Sequence, residues 1–408
     1  MTGGRKVLLA LAGLGAAVAV YRLVYGLGAS TNLSDRWPWG LWVWWDVLTG
    51  VALAGGGYST TLLVRFLGRE RWRTVERGAF LTSLLGYLMV VTGLILDLGR
   101  WPNAWRAFLF WEGNPHSVMF ELTWCVGGYT VVQLAEFLYV FDVRMSRLSR
   151  RVLEKIYAPL LIVGVILPFL HQSALGSLYV ITMGRLDPLW WSMLLPLFFL
   201  MSSFFVGPAM VVVENTLSAR SHGQRPPVAV LGEMVRLSAF VMLAYLGLKV
   251  ADLAWRGVLS RVFEGSTEST LFLIEIVCGV VVPTIVFLRP SLRGSPAWLV
   301  TASALTVGGV ALNRANVVFA GMASAAGGAS YRPDWMEAAV TLGIIATGIL
   351  AYLFVVENFP IVSPETHDET PARHPENARF SSGSAPLKER PADAISGSSP
   401  RGEPALRR

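Results

Sequence analysis

The stretch YAPLLIVGVILPFLHQSALGSLYV, residues 157–180, decides the fold. It contains no charged side chain and is longer than the roughly 20 residues that an α-helix needs to cross a bilayer core. Pro168 should loosen this helix just before His171, Gln172 and Ser173, because proline lacks a backbone N–H and its ring collides with the preceding turn. Since lipid offers no hydrogen-bond partner, the polar triplet indicates either a ligand site or hydrogen bonds to neighbouring helices.

The rest of the chain repeats this apolar pattern. Hydrophobic residues make up 53% of the 408 residues and charged residues 15%, against about a quarter charged in soluble proteins. Ten runs are long enough to span a bilayer, at about residues 7–27, 39–64, 78–97, 117–141, 157–180, 189–213, 234–255, 270–289, 297–319 and 335–357. The sequence therefore predicts an all-α fold, a polytopic membrane helix bundle of about ten transmembrane helices.

Basic residues are distributed unequally between the two sets of loops. With the N-terminus inside, the inner segments carry sixteen Lys and Arg and the outer loops carry seven. Since cytoplasmic loops are the more basic ones, both termini are predicted to be cytoplasmic. Tryptophans mark the opposite interface, where amphipathic rings prefer to lie: Trp37, Trp39, Trp42, Trp44, Trp45, Trp101, Trp105 and Trp111.

The two ends of the chain differ in kind. Arg5 and Lys6 precede the first apolar run as in a signal peptide, but the run continues through Tyr21–Tyr25 without a small-residue cleavage site, which favours a retained anchor. Residues 361–408 are rich in Pro, Ser, Ala, Glu and Arg and cannot bury a core. We therefore predict a membrane domain of residues 1–360 and a disordered cytoplasmic tail of residues 361–408.

Ionisable residues within or at the ends of the apolar runs are concentrated in the outer half. They are Asp46, Asp97, Arg100, His116, Glu121, His171, Lys249, Asp252, Glu275, Arg314 and Glu337. Such residues are costly in a membrane, so a single gathered site is the economical explanation. Lys249 and Asp252 are three residues apart on one helix and are expected to form a local ion pair.

The fourth run suggests a path across the membrane. Glu121 and Glu136 are 15 residues apart, which places them about 60° apart on one face and roughly 22 Å apart along the helix axis. Tyr129 and Gln133 lie between them. The spacing is compatible with a proton relay toward the cytoplasm or with two carboxyl groups that make separate structural hydrogen bonds.

The residue types exclude several kinds of site. Cys125 and Cys278 lie in apolar runs without a CxxC or CxxCH motif, so the chain cannot ligate an iron–sulfur cluster by itself. Only His116 and His171 are eligible as axial haem ligands, which excludes two bis-histidine haems and leaves one possible. No metal site is predicted. The net charge of +7 is explained by the basic loops on the cytoplasmic side and does not indicate nucleic-acid binding.

Seven motifs give the chain a recognisable pattern. They are PWGLWVWWD (38–46), AGGGY (54–58), LDLGR (96–100), NPHSVMFE (114–121), LAEF (134–137), LPFLHQSALGSL (167–178) and DPLWWSMLLPLFF (187–199). In order and spacing the chain resembles the NrfD/PsrC family, the integral membrane quinone-reactive subunits of respiratory redox complexes. Residues 18–360 look like the ten-helix branch typified by the membrane subunit of the Hyb-type nickel–iron uptake hydrogenase.

The resemblance implies a site for menaquinone or ubiquinone near the periplasmic face. The residues implied in quinone binding are His171 and Asp46, with Gln172, His116 and Arg100 in support. Those implied in proton transfer are Tyr87, Glu121, Glu136 and Glu214. The resemblance also implies no iron–sulfur cluster of the chain's own and argues against a haem. Many relatives have histidine where this chain has Asp187 or Trp191, so roles of those histidines cannot be transferred.

These implications lead to one hypothesis and two alternatives. The chain is expected to be a multi-pass subunit of the bacterial inner membrane that exchanges electrons and protons between a periplasmic ferredoxin-like iron–sulfur partner and the quinone pool, with proton translocation as a further expectation. That partner would connect it to a catalytic subunit, so the chain would be part of an oxidoreductase rather than a complete enzyme. The alternatives are a single-haem b-type cytochrome subunit and an ion or solute transporter.

Overall fold

A computed structural model describes residues 3–66, 72–109, 111–140, 146–182, 184–221, 223–323 and 330–358. In this part of the chain, ten helices are long and apolar enough to cross a membrane. They are α1 (Gly3–Tyr25), α2 (Trp42–Val64), α3 (Val75–Asp97), α4 (Val118–Tyr139), α5 (Arg147–Val180), α6 (Leu195–Arg220), α7 (Val228–Trp255), α8 (Thr267–Leu288), α9 (Pro296–Ala323) and α10 (Trp335–Asn358). The predicted all-α bundle of ten spans is confirmed, and the predicted tail lies outside the described residues.

Helix α5 differs from its prediction at two points. It begins at Arg147, well before the predicted start at Tyr157, because Ser146 caps it by accepting a hydrogen bond from the backbone N–H of Ser149 at 3.1 Å. The helix also runs unbroken through Pro168, contrary to the expected loosening. Proline removes one backbone hydrogen bond, and packing against neighbouring helices is enough to keep such a membrane helix continuous.

Small residues set the distance between helices. A Cβ atom on Gly56 of α2 would lie 3.1 Å from the carbonyl oxygen of Gly207 on α6. A Cβ atom on Gly15 of α1 would lie 2.6 Å from the Cα of Gly343 on α10. Because surrounding lipid is as apolar as the side chains, such close backbone contact is a main source of helix association.

Wide π-helical turns interrupt α2, α8 and α9 within the described residues. One of them, Leu62–Phe66, lies at the end of α2. The other three lie at Trp42–Thr49, Val277–Val281 and Asn316–Ala320. Turns of this kind change the direction of the side chains that follow and occur often at functional sites. A buried polar residue lies in or beside each of the last three, namely Asp46, Glu275 and Asn316.

Candidate functional site

His171 faces the interior of the bundle from α5. Leu175 and Leu178 share its buried face, as the spacing of four and then three residues requires in a helix. The His171 side chain is only 1% exposed, and its Nδ1 lies 3.4 Å from the hydroxyl oxygen of Tyr87 on α3. The structure therefore brings together a residue predicted to bind quinone and a residue predicted to transfer protons.

A chain of buried polar groups continues from this pair into α4. The ring of Tyr87 packs edge-on against that of Tyr129, with centroids 4.4 Å apart. Gln133 Nε2 donates to the Tyr129 hydroxyl at 3.0 Å and to Ser83 Oγ at 2.8 Å, and these two oxygens are 3.4 Å apart. These contacts thus join α3, α4 and α5 inside an apolar bundle. We call the connected residues the polar chain: His171, Tyr87, Tyr129, Ser83 and Gln133.

The two carboxyl groups of α4 have different surroundings. Glu136 is one turn beyond Gln133, is 7% exposed, and packs against α5, where its Oε1 would lie 3.2 Å from a Cβ atom on Gly164. Glu121, near the other end of α4, is exposed. The polar chain therefore leads toward Glu136 from α5 and α3, and its contacts do not include Glu121.

Three buried atoms at the α5 end of the polar chain have no hydrogen-bond partner among the described residues. They are Nε2 of His171 and both amide atoms, Oε1 and Nε2, of Gln172. Buried polar atoms in proteins are nearly always paired, and leaving one unpaired costs about 1–3 kcal/mol. Two adjacent side chains thus offer donors and acceptors that suit the carbonyl or hydroxyl oxygen of a ligand.

Asp46 lies in a different environment from His171. Its Oδ2 accepts a hydrogen bond from Thr341 Oγ1 of α10 at 3.1 Å, and its Cβ packs where Gly93 of α3 lacks a side chain. The residue is 3% exposed, and Oδ1 has no partner in the described structure. On α3, Gly93 and Tyr87 are about 9 Å apart along the axis and about 120° apart around it. Asp46 and His171 therefore contact different faces of α3.

The remaining predicted site residues are dispersed. Arg100 follows α3 and is exposed, and His116 is exposed in the turn before α4. Glu214 on α6 is half-buried and accepts a hydrogen bond from the Tyr352 hydroxyl of α10 at 3.2 Å. None of these contacts extends the polar chain.

A second buried cluster, which the sequence did not reveal, joins α6, α8 and α9. Glu275 accepts hydrogen bonds from Trp190 Nε1 at 3.0 Å, Asn313 Nδ2 at 2.7 Å and Asn316 Nδ2 at 2.9 Å. Arg314 donates to Asn313 Oδ1 at 2.5 Å, and its guanidinium carbon lies 3.5 Å from the ring centre of Phe199. The sequence showed that Glu275 and Arg314 lie in apolar runs, but only helix packing shows that they belong together.

The predicted ion pair between Lys249 and Asp252 is wrong. Asp252 instead accepts from the Arg256 guanidinium at 2.7 Å and from Ser192 Oγ at 2.8 Å. The Lys249 ammonium nitrogen lies over the ring of Phe198, 4.6 Å from its centre. At four residues' spacing, Arg256 reaches the carboxyl group with two nitrogens, whereas Lys249 points toward the aromatic interior.

The segment before α2 is fastened to α10. Tyr331 donates a hydrogen bond to Glu337 and accepts one from the backbone N–H of Leu41 at 3.0 Å, and Glu337 also accepts from the backbone N–H of Asn32 at 2.9 Å. Burial, followed by the hydrogen bond to Glu337, raises the pKa of Tyr331. Tyr331 therefore stays protonated near neutral pH, and its hydrogen bonds to Glu337 and Leu41 are kept.

Comparison with known proteins gives the chain clear relatives. The family described as "Polysulphide reductase, NrfD" matches residues 29–326. A protein of Nitratidesulfovibrio vulgaris is 32% identical over 89% of this chain and 95% of its own length. The "Probable Ni/Fe-hydrogenase 2 b-type cytochrome subunit" of Escherichia coli is 31% identical over 85% and 88%. The "Menaquinone reductase, integral membrane subunit" of N. vulgaris is 27% identical over 85% and 88%.

The name of the Escherichia coli relative bears on haem. It contains the words "b-type cytochrome", so the expectation that argued against a haem is not supported. The two candidate histidines differ in position. His116 precedes α4, whereas His171 lies within α5, nine residues before its end, or about 13 Å along the helix axis from that end.

Proposed function

Because the chain belongs to the NrfD family, we propose that it is the quinone-reactive membrane subunit of an oxidoreductase complex. It lies in a bacterial inner membrane with both termini in the cytoplasm. Electrons pass between the quinone pool and a catalytic subunit by way of a periplasmic ferredoxin-like iron–sulfur subunit. The names of the relatives support the quinone and the hydrogenase or reductase partners. The chain's two cysteines, Cys125 and Cys278, lie on separate helices, so clusters are left to the partner.

The observation that carries this proposal is the polar chain with its three unpaired atoms. A quinone, when bound, supplies a carbonyl that takes up electrons and protons reversibly. His171 Nε2 and the Gln172 amide group bind and orient that oxygen, since they are adjacent, buried and without a protein partner. Both residues are held on a continuous helix, which fixes their positions relative to each other.

The same groups move protons to and from the bound ring. His171 can donate from one ring nitrogen and recover a proton at the other, where it meets the Tyr87 hydroxyl. The series of hydrogen-bonding groups continues from Tyr87 toward Glu136 through Tyr129, Ser83 and Gln133. Protons that move to or from the cytoplasmic side would pass along this path between His171 and Glu136. Proton translocation across the membrane, which would make turnover electrogenic, would use the same path.

Replacement of His171 by Ala in the purified complex tests the proposal. We expect quinone-coupled turnover to fall at least about tenfold, because a hydrogen bond to the reacting oxygen and the group that exchanges protons with it are both lost. Reaction of the catalytic subunit with a soluble artificial electron carrier should be unchanged. The measurement is turnover with quinone against turnover with the artificial carrier.

Ser177→Ala is the matched control, since Ser177 lies on the same helix and its hydroxyl bonds only the Ser173 carbonyl within the described structure. It should keep quinone turnover close to that of the unaltered complex. Equal quinone turnover in the His171→Ala variant and this control would remove His171 from the mechanism.

A single-haem subunit is the second candidate, because one relative is named a b-type cytochrome subunit. His171 would hold the haem iron through its unpaired Nε2, while its Nδ1 contacts the Tyr87 hydroxyl. An absorption spectrum of the isolated subunit decides between the two. A reduced-minus-oxidised haem band that is lost in His171→Ala would favour the cytochrome.

A further inference from the structure

Lys249 on α7 is a buried cation that the proposed function does not use. The residue is 2% exposed and forms no hydrogen bond within the described part of the chain. Its ammonium nitrogen lies 4.6 Å from the ring centre of Phe198 and 5.9 Å from that of Phe272. Ring faces attract a cation, but they do not replace the oxygen acceptors that the N–H groups of a buried ammonium require.

The charges around Lys249 do not balance when it is protonated. The charged groups within its electrostatic range are Glu275, Asp252, Arg256 and Arg314. Asp252 is neutralised by Arg256, at 2.7 Å, so Glu275 is left to balance both Arg314 and Lys249. One positive charge is then in excess, which is costly in the interior of a membrane. Since arginine does not give up its proton in proteins, Lys249 is the cation of this set that can exchange one.

Glu275 is fixed as the negative charge of the set. Its Oε2 accepts hydrogen bonds from Trp190 and Asn316, and its Oε1 accepts one from Asn313. A proton on either oxygen would displace one of these donors, and hydrogen bonds to an ionised carboxylate are the stronger ones. The proton that moves is therefore carried by Lys249 and not by Glu275.

A small cavity lies beside Glu275, between α6, α7, α8 and α9. Its volume is about 10 Å³, and its lining includes Ser202, Tyr245, Glu275 and Asn313. This is about the smallest volume that holds one water molecule, and the lining supplies the polar partners that such a molecule needs. Ser202 Oγ also accepts a hydrogen bond from Arg314 Nη2 at 2.6 Å. The cavity therefore lies between the carboxylate of Glu275 and the hydroxyl group bound by Arg314.

Unpaired atoms lead from the quinone site toward Arg314. Tyr179 is seven residues after Gln172, which places it on the same face of α5 and about 10 Å nearer the end of the helix. The Tyr179 hydroxyl and Nε of Arg314 are buried without a partner in the described structure. Both side chains meet Phe199, whose ring centre is 6.1 Å from that of Tyr179 and 3.5 Å from the guanidinium carbon. Because buried polar atoms nearly always bond protein or ordered water, these atoms indicate water between the quinone site and the Glu275 cluster.

The opposite side of Lys249 leads to the outer end of α7. Lys249 is six residues, or about 9 Å, before that end. Asp252, one turn further along, accepts hydrogen bonds from Ser192 and Arg256, and Trp255 is exposed. Polar groups thus continue from Lys249 to the outer surface.

We propose that Lys249 is the proton-exchange group of an outlet that leads from the quinone site to the outer side of the membrane. Oxidation of a quinol at His171 breaks two O–H bonds, passes two electrons to the iron–sulfur partner and releases two protons. The neutral amine of Lys249 takes up one proton through water at Arg314 and Glu275, and the resulting ammonium gives a proton to water at the outer surface. Quinone reduction uses the same steps in reverse.

This inference rests on the proposed function, since the quinone at His171 is the source of the protons. It assigns the two buried clusters to opposite sides of the membrane. The polar chain toward Glu136 exchanges protons with the cytoplasmic side, and the outlet at Lys249 exchanges them with the outer side.

The experiment uses the complete complex in phospholipid vesicles and measures, with a pH-sensitive dye, the protons exchanged with the outer side per two electrons. Lys249→Met removes the exchangeable proton and keeps a long side chain, whereas Lys249→Arg keeps a positive charge that is not given up. We expect this ratio to fall at least about twofold in both variants. Arg236→Met is the matched control, because Arg236 is an exposed cation on the same helix, and it should keep the ratio of the unaltered complex.

Retention of the ratio in either variant would overturn the inference. In Lys249→Arg it would show that only the charge is required, and in Lys249→Met that no proton passes through this residue. The inference also fails if the unaltered complex exchanges no protons with the outer side. Turnover with the artificial electron carrier confirms assembly, and Lys249→Arg decides alone if Lys249→Met does not assemble. The proposed function fails differently, by normal quinone turnover in His171→Ala.

Discussion

Tyr87 connects the helix that presents His171 to the rest of the polar chain. Its hydroxyl is the contact of His171 Nδ1, and its ring packs on Tyr129. A phenol in the interior of a membrane needs a hydrogen-bond partner. Tyr87 therefore lies between the imidazole of His171 and the hydroxyl groups of α3 and α4, which is the position that its proposed role in proton transfer requires.

Replacement of Tyr87 by Phe should slow quinone-coupled turnover about tenfold or more, because the ring packing stays while the group that exchanges protons with His171 is lost. The measurement is turnover in H₂O and D₂O. A larger solvent isotope effect than in the unaltered complex is expected, since proton delivery becomes slower.

Tyr245→Phe is the matched control, because Tyr245 is also buried but packs on Phe198 and Phe205 outside the polar chain. This variant should change neither the quinone-coupled turnover rate nor the solvent isotope effect. The proton role of Tyr87 is contradicted if the two variants show the same rate and the same isotope effect.

The helices of the second half are held together by Glu275. One carboxyl group on α8 receives three N–H donors from α9 and from the segment before α6. Lys249 and Arg314 are within electrostatic range of it. Removing one member of such a buried set leaves the others desolvated and without partners, which is more costly than never having formed it.

Glu275→Ala should therefore lower the free energy of unfolding by about 3–5 kcal/mol. Glu154→Ala, which breaks the exposed pair with Arg150 on α5, should change it by less than about 1 kcal/mol. Denaturant unfolding of the purified complex in detergent measures both. Similar losses in the two variants would show that the cluster does not stabilise the contact between α8 and α9.

Ten spans give an even number of crossings, so both termini of the membrane domain lie on one side if every span crosses. The charge distribution predicts that this side is the cytoplasm. The assignment matters for function, because it places Asp46, at the start of α2, near the periplasmic face and Glu136, toward the end of α4, nearer the cytoplasm.

Reporter fusions test this orientation. Green fluorescent protein joined after residue 408 should fluoresce, and alkaline phosphatase at the same point should be inactive, because the C-terminus is predicted to be cytoplasmic. Alkaline phosphatase inserted between α7 and α8 should be active, since that loop is predicted to be periplasmic. The reverse pattern would invert the positions of the partner subunit and of the proton path.

The ten spans and most of their ends could be predicted from the sequence, because length and hydropathy are local properties and the bilayer imposes one spacing on all of them. The start of α5 was missed because its first turns are charged, and only the Ser146 cap reveals it.

The grouping of polar residues was decided by tertiary structure. The sequence predicts Asp46 and His171 in one site, whereas in the structure they contact different faces of α3. It also predicts an ion pair between Lys249 and Asp252, whereas in the structure Asp252 pairs with Arg256. The Glu275 cluster was not predicted from sequence. The physical reason is that hydrogen bonds act over about 3 Å, so which helices are neighbours, and how each is rotated, determines which side chains can meet.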